Sequence, residues 1–226
     1  MTRHDISECL PFWDSLSAKS RQRLRENAIF RRYKPGENVI FKTVKKDGIV
    51  FVLEGKLRVY LSSGTGREIT LFKLPKGEAF SIMTVDNARD NDVVPSLQSL
   101  DNTTLAYLQR SDMAPVAYEE PLMANFIFEA CAKTAQHILN NISYSFFNPL
   151  RSCVARVLLE RLSDDDPDSG EVRITHEDIA NDLGTTRVVI SRELDHMRDM
   201  GLVSTGRGKI YVLDRGGLAA IAGYYP

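Results

Sequence analysis

The chain has 226 residues, 43% of them hydrophobic and 26% charged, with a net charge of -1. That composition excludes a disordered or collagen-like chain, and the near-neutral balance excludes a generally polycationic coat for nucleic acid. The opening "MTRHDISECLPFWDSL" has no uninterrupted apolar core, and no window approaches the ~20 apolar residues of a membrane helix, so a cytoplasmic chain without membrane contact is expected.

Residues 1 to about 30 are polar and helix-like. From Tyr33 to about Leu108 glycine-bearing turns recur, at Gly36, Gly48, Gly55, Gly64, Gly66 and Gly77, separated by runs such as "IVFVLE", "LRVYL", "EITLFKL", "VVPSLQSL" and "TTLAYL". Short apolar or alternating runs with a turn every ~8 to 12 residues predict an all-β sandwich or barrel. The three cysteines, Cys9, Cys131 and Cys153, are widely spaced and form no C-x-x-C pair. They read as small buried hydrophobes or inert thiols, with redox sensing as the alternative, and they suggest neither a zinc site nor a disulfide framework.

Beyond Glu119 the period becomes helical, with Met123, Ile127, Cys131 or Ala130, Thr134, Ile138 and Asn141 or Ile142 stepping by three and four. Leu122, Phe126 and Ala130 widen the stripe. About 25 to 28 residues make a helix ~40 Å long, more than one face of a small β-domain needs. Met123, Ile127, Cys131, Thr134, Ile138 and Asn141 are therefore expected to form a seam with a second copy of the chain, a core helix under the β-domain being the alternative. "NPL" at Asn148 to Leu150 breaks the helix, "RSCVARVLLERL" resumes one, and the acidic run Ser163 to Gly170 reads as a solvated loop.

Thr175 and Asp178 form a helix-start signal, so a helix is predicted from about His176 through Ile179, Ala180 and Leu183 to a turn at Gly184. Thr185 or Thr186 caps the next helix, which runs to Met200 and stops at Gly201. At ~100° per residue Ile190, Leu194 and Met197 share its buried side. Val188 and Arg192 project nearly opposite, and Thr186, Arg187 and Ser191 sit at its start or on its flank. Guanidinium can fork onto guanine O6 and N7, hydroxyls (Thr175 and Thr185 included) and free N–H groups suit phosphate, and valine suits a thymine methyl. "LVSTGRGKIYVLD" reads as a hairpin with Arg207 and Lys209 near its tip, a wing placed for phosphate. From Leu150 to Pro226 ten Arg and Lys face thirteen acids, yet from Gly184 to Lys209 five face three, so the basic character is local.

At these motifs the chain resembles the family of the cyclic AMP receptor protein and the fumarate-nitrate regulator, bacterial transcription factors. The resemblance covers almost the whole length: "PGE" and "LEGKLRVY", the long helix, and "ITHEDIANDLGTTRVVISRELDHMRDMGLVSTGRGKIYVLD". It implies an α+β chain: a double-stranded β-helix of the cyclic-nucleotide-binding-like β-roll type (residues 1–118), a dimerisation helix (119–147) and a winged helix-turn-helix (148–226). It also implies a homodimeric, non-enzymatic regulator that binds a near-palindromic operator in double-stranded DNA and meets RNA polymerase. Ala180, Gly184 and Ile190 would set the helix-turn-helix geometry, and Thr186, Arg187, Val188, Ser191 and Arg192 would face DNA. Val188 stands where the family commonly has glutamate, which implies a changed half-site.

The sensor half departs further from the family. Members that bind cyclic AMP carry a G-E-L and an R-S cassette; here the stretches read "GEAFSIMT" and "DVVPSLQS", with Ile82 near the expected glutamate and Val94 or Pro95 near the expected arginine. Cyclic AMP is therefore not the expected effector. Only Cys9 stands near the N-terminus, where iron-sulfur members need a cluster, and no histidine lies between His4 and His137 to hold a haem. No cofactor is expected. An uncharged pocket for an unidentified small effector is expected from Phe80, Ser81, Met83, Ser96 and Gln98, closed by Asn125 or Phe126. The alternatives are a ligand-independent or cysteine-redox-controlled regulator of the same fold and a cupin-like metalloenzyme, which the missing β-roll histidines oppose.

Overall fold

A computed structural model of the chain describes residues 4–39, 48–64, 66–82, 95–165 and 170–223. Met83 and Val94, and residues 166–169 of the acidic run, lie outside the described residues. The chain divides into two compact units, residues 1–61 with 71–139 and residues 62–70 with 140–226.

The first unit opens with two single turns of 3-10 helix, Ile6–Cys9 and Trp13–Ser15, and helix α1 (Ala18–Asn27). Strands β1 (Ile29–Tyr33), β2 (Gly48–Glu54), β3 (Lys56–Ser62), β4 (Glu68–Pro75), β5 (Ala79–Ile82), β6 (Ser96–Ser99) and β7 (Thr103–Gln109) follow, then α2 (Arg110–Glu119) and α3 (Pro121–Phe147). The strands form a four-stranded sheet ordered β1-β7-β2-β5 and a three-stranded sheet ordered β4-β3-β6. Gly55 makes the sharp reversal from β2 to β3 possible: its φ is +78°, and a Cβ there would stand 2.3 Å from Asp101 Oδ1.

Alternation along the strands sorts the side chains into layers. Val50, Val52, Leu105 and Tyr107 of the first sheet join Leu57, Val59, Phe72, Leu74 and Leu97 of the second, with Phe80, in one apolar cluster between the sheets. On the other face of the first sheet Ile49, Phe51, Ala106 and Leu108 pack with Leu10, Trp13, Leu24, Met113, Met123 and Ala130. A two-sheet β-domain backed by helices is thus built from the periods expected of its sequence, and α3 has the expected length of 27 residues.

The second unit contains α4 (Leu150–Asp165), β8 (Glu171–Val172), α5 (His176–Leu183), α6 (Arg187–Asp199), β9 (Val203–Gly206), β10 (Lys209–Val212) and α7 (Arg215–Ala222). Its sheet is ordered β8-β10-β9. Val154, Leu158 and Leu162 of α4, Ile179 and Ala180 of α5, Ile190, Leu194 and Met197 of α6, and Ile210 and Leu218 form one core. The hairpin segment 62–70 clusters here as well. Thr70 Oγ1 donates to Asp182 Oδ1 at 2.7 Å, and Ile69 lies close enough to Gly184 that a Cβ there would meet it at 3.0 Å.

Leu194 is fully buried at the centre of that core. Leu194→Ala is expected to cost about 2–5 kcal/mol of unfolding free energy, read as a lower denaturant midpoint at unchanged slope.

Candidate nucleic-acid interface

Helix α5 starts where its cap chemistry dictates. Thr175 accepts from the Asp178 backbone N–H while the Asp178 carboxylate accepts from the Thr175 N–H, a reciprocal box. The Thr175 hydroxyl also donates to Asp178 Oδ2 at 2.6 Å, so its proton is spent on the cap. Gly184 ends the helix at φ +66°, and the chain turns into α6 after Thr186.

On α6, Ile190, Leu194 and Met197 are each 0% exposed. Their burial fixes the rotation of the helix, and the opposite side is left to solvent. Arg187 and Arg192 are exposed there, and Val188 is 61% exposed. Thr186 occupies the cap position without making a side-chain cap hydrogen bond, so its hydroxyl and the first N–H groups of α6 are available to an anion. Thr185 is half-buried, and its backbone N–H donates to the Ala180 carbonyl at 3.0 Å.

Ser191 is half-buried and doubly engaged. Its hydroxyl donates to the Arg187 carbonyl at 2.9 Å, and His176 Nδ1 lies 2.9 Å from the same oxygen. Burial, and secondarily the Arg187 guanidinium, hold the His176 pKa below the ordinary 6.5 against the opposing charge of Asp195. His176 is therefore neutral at pH 7. Sequence spacing gave no sign of this residue, because the contact crosses from the first turn of one helix to the flank of another.

The wing is the hairpin of β9 and β10, in which Gly206 pairs with Lys209 across Arg207 and Gly208. Gly208 adopts φ +73°. Arg207 at the tip is exposed and, among the described residues, makes no hydrogen bond or ion pair. Lys209 differs: its ammonium donates to Glu171 Oε2 at 3.0 Å and stands 5.0 Å from the Tyr211 ring centroid. It thus braces β10 against β8 in the free protein.

The expected effector residues fall on three layers. Phe80 is in the apolar cluster between the sheets. Ser81 points to the other face of the first sheet, where its N–H donates to Thr134 Oγ1 at 3.4 Å and its hydroxyl accepts from Cys131 Sγ at 3.4 Å. Phe126 lies on that helical side against Phe51, and Asn125 is exposed. Ser96 and Gln98 lie on the outer face of the second sheet, Gln98 accepting from Arg58 at 3.3 Å. The described positions thus fall on different layers of the β-domain, and Met83 is outside the described residues.

The expected seam of α3 turns inward. Met123 is fully buried and Ile127 packs in the same helical-side cluster. Cys131 and Thr134 contact Ser81, Ile138 joins the inter-sheet cluster, and Asn141 Nδ2 donates to the Thr70 carbonyl at 2.8 Å. The outward face instead carries Phe128, Ala132, Ala135, Leu139, Ile142 and Phe146, all exposed. Sequence period could have found this second stripe, since it also steps by four and three.

Together these elements define a winged helix-turn-helix protein that binds DNA. The family profile described as a Crp-like helix-turn-helix domain matches residues 154–221, and that described as a cyclic nucleotide-binding domain matches residues 30–117. The cyclic AMP receptor protein of Thermus thermophilus is 26% identical over 192 residues, covering 85% of this chain and 87% of its own. A solved structure of a transcriptional regulator of the Crp/Fnr family from Eubacterium rectale superposes with a TM-score of 0.84 at 28% identity, covering 95% of this chain and 99% of that one. FixK2 from Bradyrhizobium japonicum, at 18% identity and a TM-score of 0.62 over 86% of this chain and 96% of its own, shares the fold. The chain belongs to the Crp/Fnr family of DNA-binding transcription regulators.

Arg192 stands on α6 and Arg207 at the wing tip, and these different settings separate their expected effects. Arg192→Ala is expected to remove about 1–3 kcal/mol of discrimination between specific and random duplex, whereas Arg207→Ala weakens both alike and lowers the salt slope by about one. Titrations of both duplexes across a salt series read the difference.

Proposed function

We propose that the chain acts as a homodimer closed along α3, whose two α6 helices read half-sites about one helical turn, ~34 Å, apart in a near-palindromic operator. The observation that supports this most is the outward stripe of α3. At ~100° per residue Phe128, Ala132, Ala135, Leu139, Ile142 and Phe146 fall within an arc of about 80°. Phe128 is 75% exposed, Leu139 58% and Phe146 82%. A row of large apolar groups at heptad spacing, with alanines letting the backbones approach, fits a second copy of the same helix. RNA polymerase is the protein partner we assign to the DNA-bound dimer, and the cytoplasm its place of action.

On the face of α6 we assign Arg187, Val188, Ser191 and Arg192 to base edges, with Thr185, Thr186, Arg207 and the start of α5 at Thr175 near phosphate. Lys209 joins them only by exchanging Glu171 for phosphate. Val188 can meet a thymine methyl but accepts no hydrogen bond, which favours a half-site different from that of members with glutamate there.

We further propose that the effector, where one acts, is not cyclic AMP. The layer between the sheets is filled by Val50, Val52, Leu57, Val59, Phe72, Leu74, Phe80, Leu97, Leu105 and Tyr107, none more than 7% exposed. A cyclic phosphate placed there would lose its hydration without gaining a cation from the described residues of that layer. Arg58, buried on the opposite face of its sheet, is engaged by Gln98 at 3.3 Å and stands 4.5 Å from the Tyr60 ring centroid. The filled layer favours, as a second reading, a regulator needing no ligand. Control through Cys9 or Cys153 is disfavoured: burial pushes the Cys9 thiol up to about 12, with Glu8 and Asp5 adding to it, and burial also raises that of Cys153, which opposes thiolate formation at both.

Two measurements check these assignments. Sedimentation should give twice the 25.4 kDa chain mass for the wild type, and Phe128→Glu with Leu139→Glu should give monomers that lose operator affinity while keeping their fold by circular dichroism. Saturating cyclic AMP should leave both the Tm and the DNA affinity of the full-length wild type where they were; a Tm rise of several degrees would refute the exclusion.

A further inference from the structure

The proton budget around Ser191 is closed by two contacts. Its hydroxyl hydrogen is committed to the Arg187 carbonyl at 2.9 Å, a bond within one helical turn. The oxygen then has only lone pairs left, so His176 Nδ1, at 2.9 Å from it, has to be the donor. Burial lowers the His176 pKa and so favours the neutral ring, whose single proton this geometry puts on Nδ1. The remaining lone pair of Ser191 Oγ is the group this side chain offers outward.

An unconstrained serine in a major groove can donate or accept and reads either kind of base edge. We propose that His176 is a positioning residue that holds Ser191 as an acceptor, so that Ser191 selects a base presenting an exocyclic amino group, adenine N6 or cytosine N4, and rejects the inverted pair. This rests on the reading of α6 as the helix that meets bases. It adds a specificity determinant lying outside α6, on the first residue of α5. It also assigns a division of labour: Arg192 supplies donors to guanine, and Ser191 supplies the acceptor that Val188 cannot.

The test uses the full-length protein and a duplex library with a randomised centre. Selection and sequencing are run on the wild type, Ser191→Ala, His176→Ala, His176→Asn and Arg192→Ala, and the ring nitrogens of His176 in the free wild type are observed by 15N NMR. The Nδ1–H tautomer is expected. Ser191→Ala should flatten one position per half-site, and there the wild type should favour adenine or cytosine over the inverted pair by about tenfold. His176→Ala removes the donor that holds the Ser191 oxygen in this rotamer, leaving only the Arg187 carbonyl to oppose its turning outward as a donor, and should lower that ratio to about twofold, whereas His176→Asn, whose amide can donate from nearly the same place, should keep most of it. An Nε2–H ring, or a base profile of His176→Ala that matches the wild type, overturns the proposal. The NMR result is independent of whether any variant folds. Failure of the underlying reading has a different signature: a wild-type motif that neither Ser191→Ala nor Arg192→Ala disturbs.

Discussion

Burial of one side of α6 decides what the other side can do. Ile190, Leu194 and Met197 fill the core of the C-terminal unit, and each fully buried aliphatic group of that size is worth about 1.5–3 kcal/mol. Together they hold the helix at one rotation, because a change of even a few tens of degrees would expose apolar surface on one side and drag charge inward on the other. Arg187, Val188 and Arg192 are outward as a consequence. The capping box at Thr175 and the left-handed Gly184 supply the complementary constraint, fixing where α5 ends and α6 begins. Under the proposed reading, pre-set geometry of this kind would let an exposed valine and two guanidinium groups meet a groove without first ordering the backbone that carries them.

A chain of net charge -1 that binds a polyanion has to separate its cations by task. Lys209 closes the small sheet by pairing with Glu171, which also pairs with Arg173 at 3.2 Å. Arg151 is held by Glu193 at 3.1 Å, on the flank of α6 away from the proposed groove face. Arg192 and Arg207 carry no such partner among the described residues and keep their donors for an outside acceptor. The acids of this unit therefore do more than oppose DNA: Glu171 and Glu193 neutralise Lys209, Arg173 and Arg151, leaving cations on α6 and at the wing tip unpaired among the described residues.

In the N-terminal unit the same physics gives an opposite outcome. Both faces of the first sheet are covered, one by the second sheet and one by helices, so strand residues become core rather than lining. On the second sheet Leu97 takes the covered side, so Ser96 and Gln98 lie on the other face, where Gln98 accepts from Arg58 and donates to the Gly36 carbonyl. The family's nucleotide-binding architecture persists here around an interior filled with aliphatic and aromatic side chains.

Local rules determined much of this protein in advance. The turns at Gly36, Gly55, Gly66 and Gly77, the start of α5 at His176, the turn at Gly184, the buried side of α6 and the hairpin of β9 and β10 follow from spacing, caps and backbone freedom, all of which act within a few residues, whereas Gly48, expected in a turn, begins β2. The faces of α3 did not, because two stripes of near-heptad spacing run along it and period alone does not rank them. Only the tertiary structure assigned Met123, Ile127 and Ile138 to the protomer's own core and left Phe128, Leu139 and Phe146 outside, since that choice depends on which stripe fits the sheets already formed. The same holds for His176 and Ser191, fifteen positions apart in sequence, whose contact exists only once Gly184 has brought two helices together at one angle.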